Sequence, residues 1–430
     1  MNVLETEPPN PQSLKTGERA IMLRVVSVLR SPVRVVAFSS CLALLVACGG
    51  GGSGSSSMTG GGSSSPNYTT CNAQQVPNWR TSTFQSSYQS AIQQLISHYG
   101  STAGIGYIRI GLGRGGEINL PQGWNDSSSG SCYSAYTTTW GYTVGGDASF
   151  TWNAYLQSMI QYEKTLASSR PLLVSITPVI GGTIATDDFV ASVAVTNGLS
   201  FGNQGLEASD ISNYPNCGGD WCNLFAKYPS TPIRELQTIA QSCPGGTTCV
   251  STLAASTGPL APLIPFALQH GANDLELYFQ DWLVAYDATY ATSVGAGGST
   301  AAYQSAFQNA ATAPGVTLEV LFPPQPGTSD YAAVQQYLMA NPAVTGVVIA
   351  VDWSDMDVGN TSAGTHTNYD FTITDAAIKP WLAAGKTVNL VFQNTTYGGG
   401  SNCPSAGTGS NGSVGSNCAV PPWVWTALSK

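Results

Sequence analysis

Along most of the chain, short apolar runs alternate with longer stretches of helical periodicity. Candidate strands lie at 106–112, 172–178, 198–202, 233–238, 274–279, 347–353 and 388–393, with a short, weakly marked one at Gln74–Pro77. Helical patterns fill 84–99, 152–167, 259–270, 300–311, 331–340 and 374–384. Strands separated by helices predict parallel pairing through βα units. Eight strands with helices between them fit a closed (β/α)8 TIM-like barrel of the α/β class better than an open sheet. No glycine-rich phosphate loop comes after any of the strands, which argues against a dinucleotide-binding fold.

Within the strands the alternation says which way each side chain points. Leu275, Leu277 and Phe279 share one face of their strand, and Asp274, Glu276 and Tyr278 share the other. Ile108, Ile110 and Leu112 likewise oppose Tyr107, Arg109 and Gly111, and Val347, Ile349 and Val351 oppose Val348, Ala350 and Asp352. Val388, Leu390 and Phe392 oppose Asn389, Val391 and Gln393. A jacket of helices must cover the apolar faces, so the polar faces turn into the barrel. An unpaired charge there is costly. Arg109, Asp274, Glu276 and Asp352 therefore read as members of a site or of an internal ion network.

The first 66 residues carry a different pattern. Arg24, Arg30 and Arg34 precede an apolar run that ends at Leu45-Val46-Ala47-Cys48, the form of a lipobox. The run is shorter than the roughly 20 residues a spanning helix needs. Residues 1–48 are thus expected to be a lipoprotein signal with Cys48 as the acylated residue, and 49–66 a Gly/Ser tether. Residues 67–430 are expected to form one barrel domain. The protein is expected to be a monomer in the bacterial cell envelope, on the periplasmic or cell-surface side, touching the membrane through its lipid alone. Past Cys48 stand Cys71, Cys132, Cys217, Cys222, Cys243, Cys249, Cys403 and Cys418, an even number that favours disulfides in an exported chain. Their spacing suggests local staples 217/222, 243/249 and 403/418, leaving Cys71 with Cys132.

Only 9% of residues are charged and the net charge is −9. With no basic patch, nucleic-acid binding is not expected. Three histidines, none near a cysteine cluster, give little support for a metal site. A serine hydrolase lacks its G-x-S-x-G elbow. No cofactor is expected.

Two stretches resemble the clan A, β-galactosidase-like (β/α)8 glycoside hydrolases. One runs from Phe84 through Tyr99-Gly100 and strand 107–112 to Gly113-Arg114-Gly115-Gly116-Glu117. It is similar to the clan's approach to its fourth strand, whose end carries the acid/base glutamate. The other, 344–393, contains Asp352-Trp353-Ser354-Asp355 and Tyr369-Asp370-Phe371 and resembles the clan's first two strands. Pro421-Pro422-Trp423-Val424 resembles the clan's segment just after its second strand. This order implies a circular permutation, with 67–313 resembling strands three to eight and 314–430 strands one and two. Gly116 stands where the clan has Asn before the acid/base.

The resemblance implies a retaining glycoside hydrolase acting on a neutral oligo- or polysaccharide through two carboxyl groups. Glu117 takes the acid/base place and Glu235, the carboxylate of the strand counted seventh, the nucleophile's. Glu276 is the rival nucleophile should one strand be miscounted. Trp282 and Trp353, just past their strands, resemble sugar platforms. Arg109, Asn203, Gln204, Tyr278 and Asp352 complete the expected sugar-binding set. The alternative function is a carbohydrate-binding or structural barrel without catalysis.

Overall fold

A computed structural model describes residues 68–71, 74–113, 116–118, 151–176, 184–213, 220–243, 252–321, 329–357 and 368–394. The expected lipidation site Cys48, the tether 49–66 and the segment 421–424 lie outside them.

Two short strands, β1 (Tyr68–Cys71) and β2 (Gln74–Pro77), form an antiparallel hairpin of their own. Eight parallel strands then close into a barrel: β3 (Ile105–Ile110), β4 (Leu172–Ser175), β5 (Ser200–Leu206), β6 (Arg234–Thr238), β7 (Asp274–Tyr278), β8 (Thr317–Leu321), β9 (Gly346–Asp352) and β10 (Thr387–Gln393). Each pairs with the next in the chain, and β10 pairs with β3 through Val388↔Ile105 and Val391↔Arg109 to shut the ring. The order runs once around the ring, an order that permuted and unpermuted (β/α)8 barrels share.

This corrects the strand tally. Gln74–Pro77 is not a stave of the barrel. Its place is taken by Thr317–Leu321, a five-residue strand between Val316 and Phe322-Pro323 whose alternation is too brief to stand out in the sequence. The strand numbering behind the permuted assignment, strands three to eight and then one and two, counted the wrong eight and loses that support.

The helix pattern is physically ordinary. Helix α1 (Ser82–Tyr99) starts where Thr81 accepts a hydrogen bond from the Phe84 backbone N–H, and it buries Phe84, Tyr88, Ala91, Ile92, Leu95 and Tyr99 along one stripe. Helix α2 (Thr151–Glu163) links β3 to β4, and α3 (Ile184–Thr196) links β4 to β5. Gly198 then takes φ of +79°, a turn that L side chains resist, as α3 gives way to β5. Two helices fill each of the next two connections: α4 (Ala208–Asn213) and α5 (Asp220–Lys227), then α6 (Thr252–Thr257) and α7 (Leu260–Gln269). After β7 come α8 (Phe279–Tyr286), α9 (Ala288–Ser293) and α10 (Thr300–Thr312); after β8, α11 (Ser329–Ala340); after β9, α12 (Trp353–Met356) and α13 (Thr372–Ala383). Among the described residues no helix is long and apolar enough to cross a membrane. Cys222 and Cys243 each belong to a disulfide. Cys132, Cys217, Cys249, Cys403 and Cys418 lie outside the described residues, and Cys71 ends β1, whose side chains do too.

The main hydrophobic layer lies between staves and jacket. Ile108, Ile110, Val174, Phe201, Leu236, Leu275, Leu277, Leu318, Val320, Val347, Ile349, Val388, Leu390 and Phe392 are all buried there. Burying a side chain of this size stabilises the fold by roughly 1.5–3 kcal/mol. The alternate residues line the lumen, as the sequence periodicity predicts.

Candidate functional site: an arginine shared by buried acids

Five strands supply the residues at the centre of the lumen. From β3, Tyr107 and Arg109 point inward; from β6, Glu235; from β7, Asp274 and Glu276; from β8, Glu319; from β10, Asn389. Every one of these side chains is buried.

Arg109 is the hub. Its Nη1 lies 3.2 Å from Glu235 Oε2 and 3.0 Å from Glu276 Oε1. Glu276 Oε1 also accepts the Tyr107 hydroxyl at 2.6 Å. Glu235 Oε2 accepts from Gln204 Nε2 at 2.7 Å. On the far side, Asn389 Nδ2 donates to Glu319 Oε1 at 2.5 Å, while its Oδ1 accepts the Tyr107 backbone N–H at 2.8 Å. That amide thus ties the ring's closing strand to both β3 and β8. Small residues make room for the acids. A Cβ on Gly202 would collide with the Glu235 carboxylate, and one on Gly346 would collide with Glu319.

Four buried acids feel the charge of one guanidinium, and two of them, Glu235 and Glu276, touch it. Burial pushes the carboxyls of Glu235, Asp274 and Glu319 well above the usual range, and neighbouring acids push further; Arg109 opposes this in each case. For Arg109 burial works against the charge, but Glu276 and then Glu235 outweigh it and hold the guanidinium protonated. The Tyr107 phenol is raised by burial and by the acids around it, so it stays a donor.

The C-terminal end of the barrel carries the rest. Glu117 comes after β3 on a tight turn in which Gly113 N–H bonds to the Glu117 carbonyl at 2.6 Å and Gly116 has φ of +78°. Its side chain is buried, and its charge acts on both Arg109 and Tyr278. Gln237 Nε2 donates to the Tyr278 hydroxyl at 3.3 Å. Gln393 Nε2 donates to Asp352 Oδ1 at 2.5 Å, and burial, then the charge of Asp355, pushes Asp352 up to about 7. In (β/α)8 barrels this end is where active sites are found.

The expected site residues therefore divide. Arg109, Gln204, Glu235 and Glu276 converge by direct contact, and Glu117 stands near enough for its charge to act on Arg109. Tyr278 and Asp352 sit at strand ends on the lumen side. Three do not fit their expected roles. Trp282 is fully buried against Phe307, ring centroids 4.6 Å apart, in the helical jacket. Trp353 is fully buried against Tyr88 at 5.2 Å, its indole N–H bonded to Asp357 Oδ2 at 3.1 Å. Neither ring offers a face to a sugar. Asn203 shares the outward face of Phe201, and its amide is occupied by the Ile176 carbonyl and the Gly205 N–H. It knits β4 to β5.

Glu319, Tyr107 and Asn389 were not among the expected site residues. Tyr107 and Asn389 stood on the polar faces of recognised strands, so the alternation could have found them. Glu319 was lost with its strand.

The site is that of a parallel (β/α)8 barrel with an acid-rich lumen. Compared with family models, with curated proteins and with solved structures, the chain has no match.

Proposed function

We propose that the barrel is a retaining glycoside hydrolase for a neutral oligo- or polysaccharide, held to the cell envelope by a lipid on Cys48. Glu235 is its nucleophile and Glu117 its acid/base. The observation that carries this reading is that Glu235 ion-pairs with Arg109 in the lumen while Glu117, buried just past β3, stands near enough for its charge to act on the same arginine.

Two donors, Gln204 and Arg109, grip Glu235 Oε2, whereas Oε1 has no hydrogen-bond partner. Arg109 and Gln204 oppose the burial that raises this carboxyl, and an ionised carboxylate they hold by one oxygen is oriented for attack by the other. In the first step Glu235 bonds to the anomeric carbon as Glu117 gives its proton to the departing glycosidic oxygen. In the second, Glu117 takes a proton from water, whose oxygen displaces Glu235 from the sugar. Tyr278, Gln237 and Asp352 supply a hydroxyl, an amide and a carboxyl for sugar hydroxyls. Glu276 is the weaker nucleophile candidate, since Tyr107 and Arg109 occupy one of its oxygens and two further acids, Asp274 and Glu319, stand close to its carboxyl.

The test is turnover of aryl glycosides and glycans, with Glu117→Gln and Glu235→Gln each lowering kcat by about 10²-fold or more. A 2-fluoro glycoside should label Glu235, read by peptide mass spectrometry. Labelling of Glu276 would reassign the nucleophile, and absence of turnover across a broad panel would defeat the enzymatic reading. The complete burial of Glu235 and Glu276 favours a second reading, a sugar-binding or structural barrel whose acids form a fixed network. It predicts binding without turnover, or neither. Metabolic labelling with palmitate, lost in Cys48→Ala, tests the anchor independently.

A further inference from the structure

Asp274, Glu276 and Glu319 each place a carboxylate oxygen within 4.8 Å of the other two. Proximity of acids alone would mean little. What distinguishes this group is the state of its remaining oxygens. Asp274 Oδ1, Glu276 Oε2 and Glu319 Oε2 are all buried and none has a hydrogen-bond partner. Buried carboxylate oxygens normally find donors, and here three neighbours lack one together.

The supporting contacts form a pattern. Glu319 is held through Oε1 by Asn389, and Glu276 through Oε1 by Tyr107 and Arg109. Each glutamate is thus fixed from behind by its first oxygen while its second stays bare. This is how outer contacts orient the ligands of a metal ion. Charge points the same way. Arg109, the sole cation in contact with these acids among the described residues, is shared between Glu276 and Glu235, and it does not contact Asp274 or Glu319 by an ion pair.

We infer that Asp274, Glu276 and Glu319 form a binding site for one hard divalent cation, of the Ca²⁺, Mn²⁺ or Mg²⁺ class. An all-carboxylate set selects such ions over zinc or copper, which favour imidazole or thiolate. Oxygens bound to one calcium ion at about 2.4 Å each can stand no more than about 4.8 Å apart, and these three lie within that limit. The shortage of histidine in the sequence speaks against nitrogen-ligand sites and leaves this one untouched. Asp274 opens β7, and Glu276 and Glu319 are paired across β7 and β8 one step further along. The ion would sit inside the lumen, bridging two staves, toward the strand starts rather than the mouth. Its role is to hold the acid side of the ring together, whatever reaction the mouth performs.

The experiment uses the full chain without its leader, stripped with chelator. Metal content by mass spectrometry, calorimetric titration with Ca²⁺, Mn²⁺ and Mg²⁺, and thermal unfolding at rising ion concentration are read at pH 8 and pH 5. The expected result is one equivalent bound, a Tm that climbs with the logarithm of ion concentration, and weaker binding at pH 5, where protons compete for the same oxygens. Glu319→Gln should weaken binding at least tenfold while the stripped variant unfolds no earlier than the stripped parent. Failure of all three ions to bind or to raise the parent's Tm overturns the inference, and protons alone then neutralise the acids. Because the parent decides, a variant that fails to fold does not shield the proposal. Glycoside turnover is a separate readout, so either result stands without the other.

Discussion

The two sides of the barrel lumen have been built from different materials. On β6, β7 and β8 the inward residues include Glu235, Asp274, Glu276 and Glu319. On β4 they are Leu173 and Ser175, and on β9 they are Gly346, Val348 and Ala350, with Asp352 coming only at the strand's end. The staves share an outer face made mostly of branched and aromatic side chains, so the jacket meets much the same surface on either side. The difference lies wholly inside, and it teaches where the molecule has traded stability for chemistry. A neutral lumen packs as an ordinary core. An acid lumen must be neutralised by Arg109, by protons or by a cation, and each of these makes it conditional on surroundings.

The largest effect that would break this contrast is loss of the hub. Arg109→Met leaves Glu235 and Glu276 without their cation and is expected to cost about 3–5 kcal/mol in urea unfolding. A loss under about 1 kcal/mol would mean the acids are already neutral without it.

Gly202→Ala should cost roughly 1–3 kcal/mol, because the new methyl enters the space of the Glu235 carboxylate. Pairing it with Glu235→Ala should recover most of that loss, and additive costs would show that the collision is not the cause.

Asp281 gives a pH signature. Burial raises its carboxyl to about 7, although Ser242 donates to it from both its backbone and its hydroxyl. A raised acid binds its proton more tightly in the folded chain, so its share of stability is complete below about pH 4 and is lost as pH climbs toward 7. Asp281→Asn should flatten the stability profile across that window, measured by Tm against pH. An unchanged slope would reject the assignment.

The smallest effect is expected on the neutral side. Ser175 is buried and its hydroxyl has no partner, so Ser175→Ala should be neutral or slightly stabilising, by less than about 1 kcal/mol.

Much of this division was legible in the chain. The period-two alternation in 106–112, 274–279 and 388–393 correctly turned Arg109, Glu276 and Asn389 inward, because a helical jacket leaves apolar side chains only one place to go. Glu235 needed less argument, being the carboxylate of a recognised strand. What failed had a common cause. Thr317–Leu321 has only five residues, so alternation had little length to declare itself, and Glu319 vanished with it. Gln74–Pro77 is extended, but extension does not say whether the partner strand is parallel or antiparallel. Trp282 and Trp353 come after strands at the expected distance, yet an indole past a strand can turn to the mouth or to the jacket, and here Phe307 and Tyr88 claim them. The junction of Glu235 with Glu276 through one nitrogen depends on inter-strand register, which no local pattern encodes.

The pairing of β10 with β3 has a consequence for how the molecule comes into being. Ile105 meets Val388 only after nearly the whole barrel has emerged, so a growing chain carries two raw sheet margins until its last stave arrives. Any product stopped before Thr387 would keep those margins and could stitch itself to its own kind. A nascent chain of this design depends on being finished quickly or being escorted.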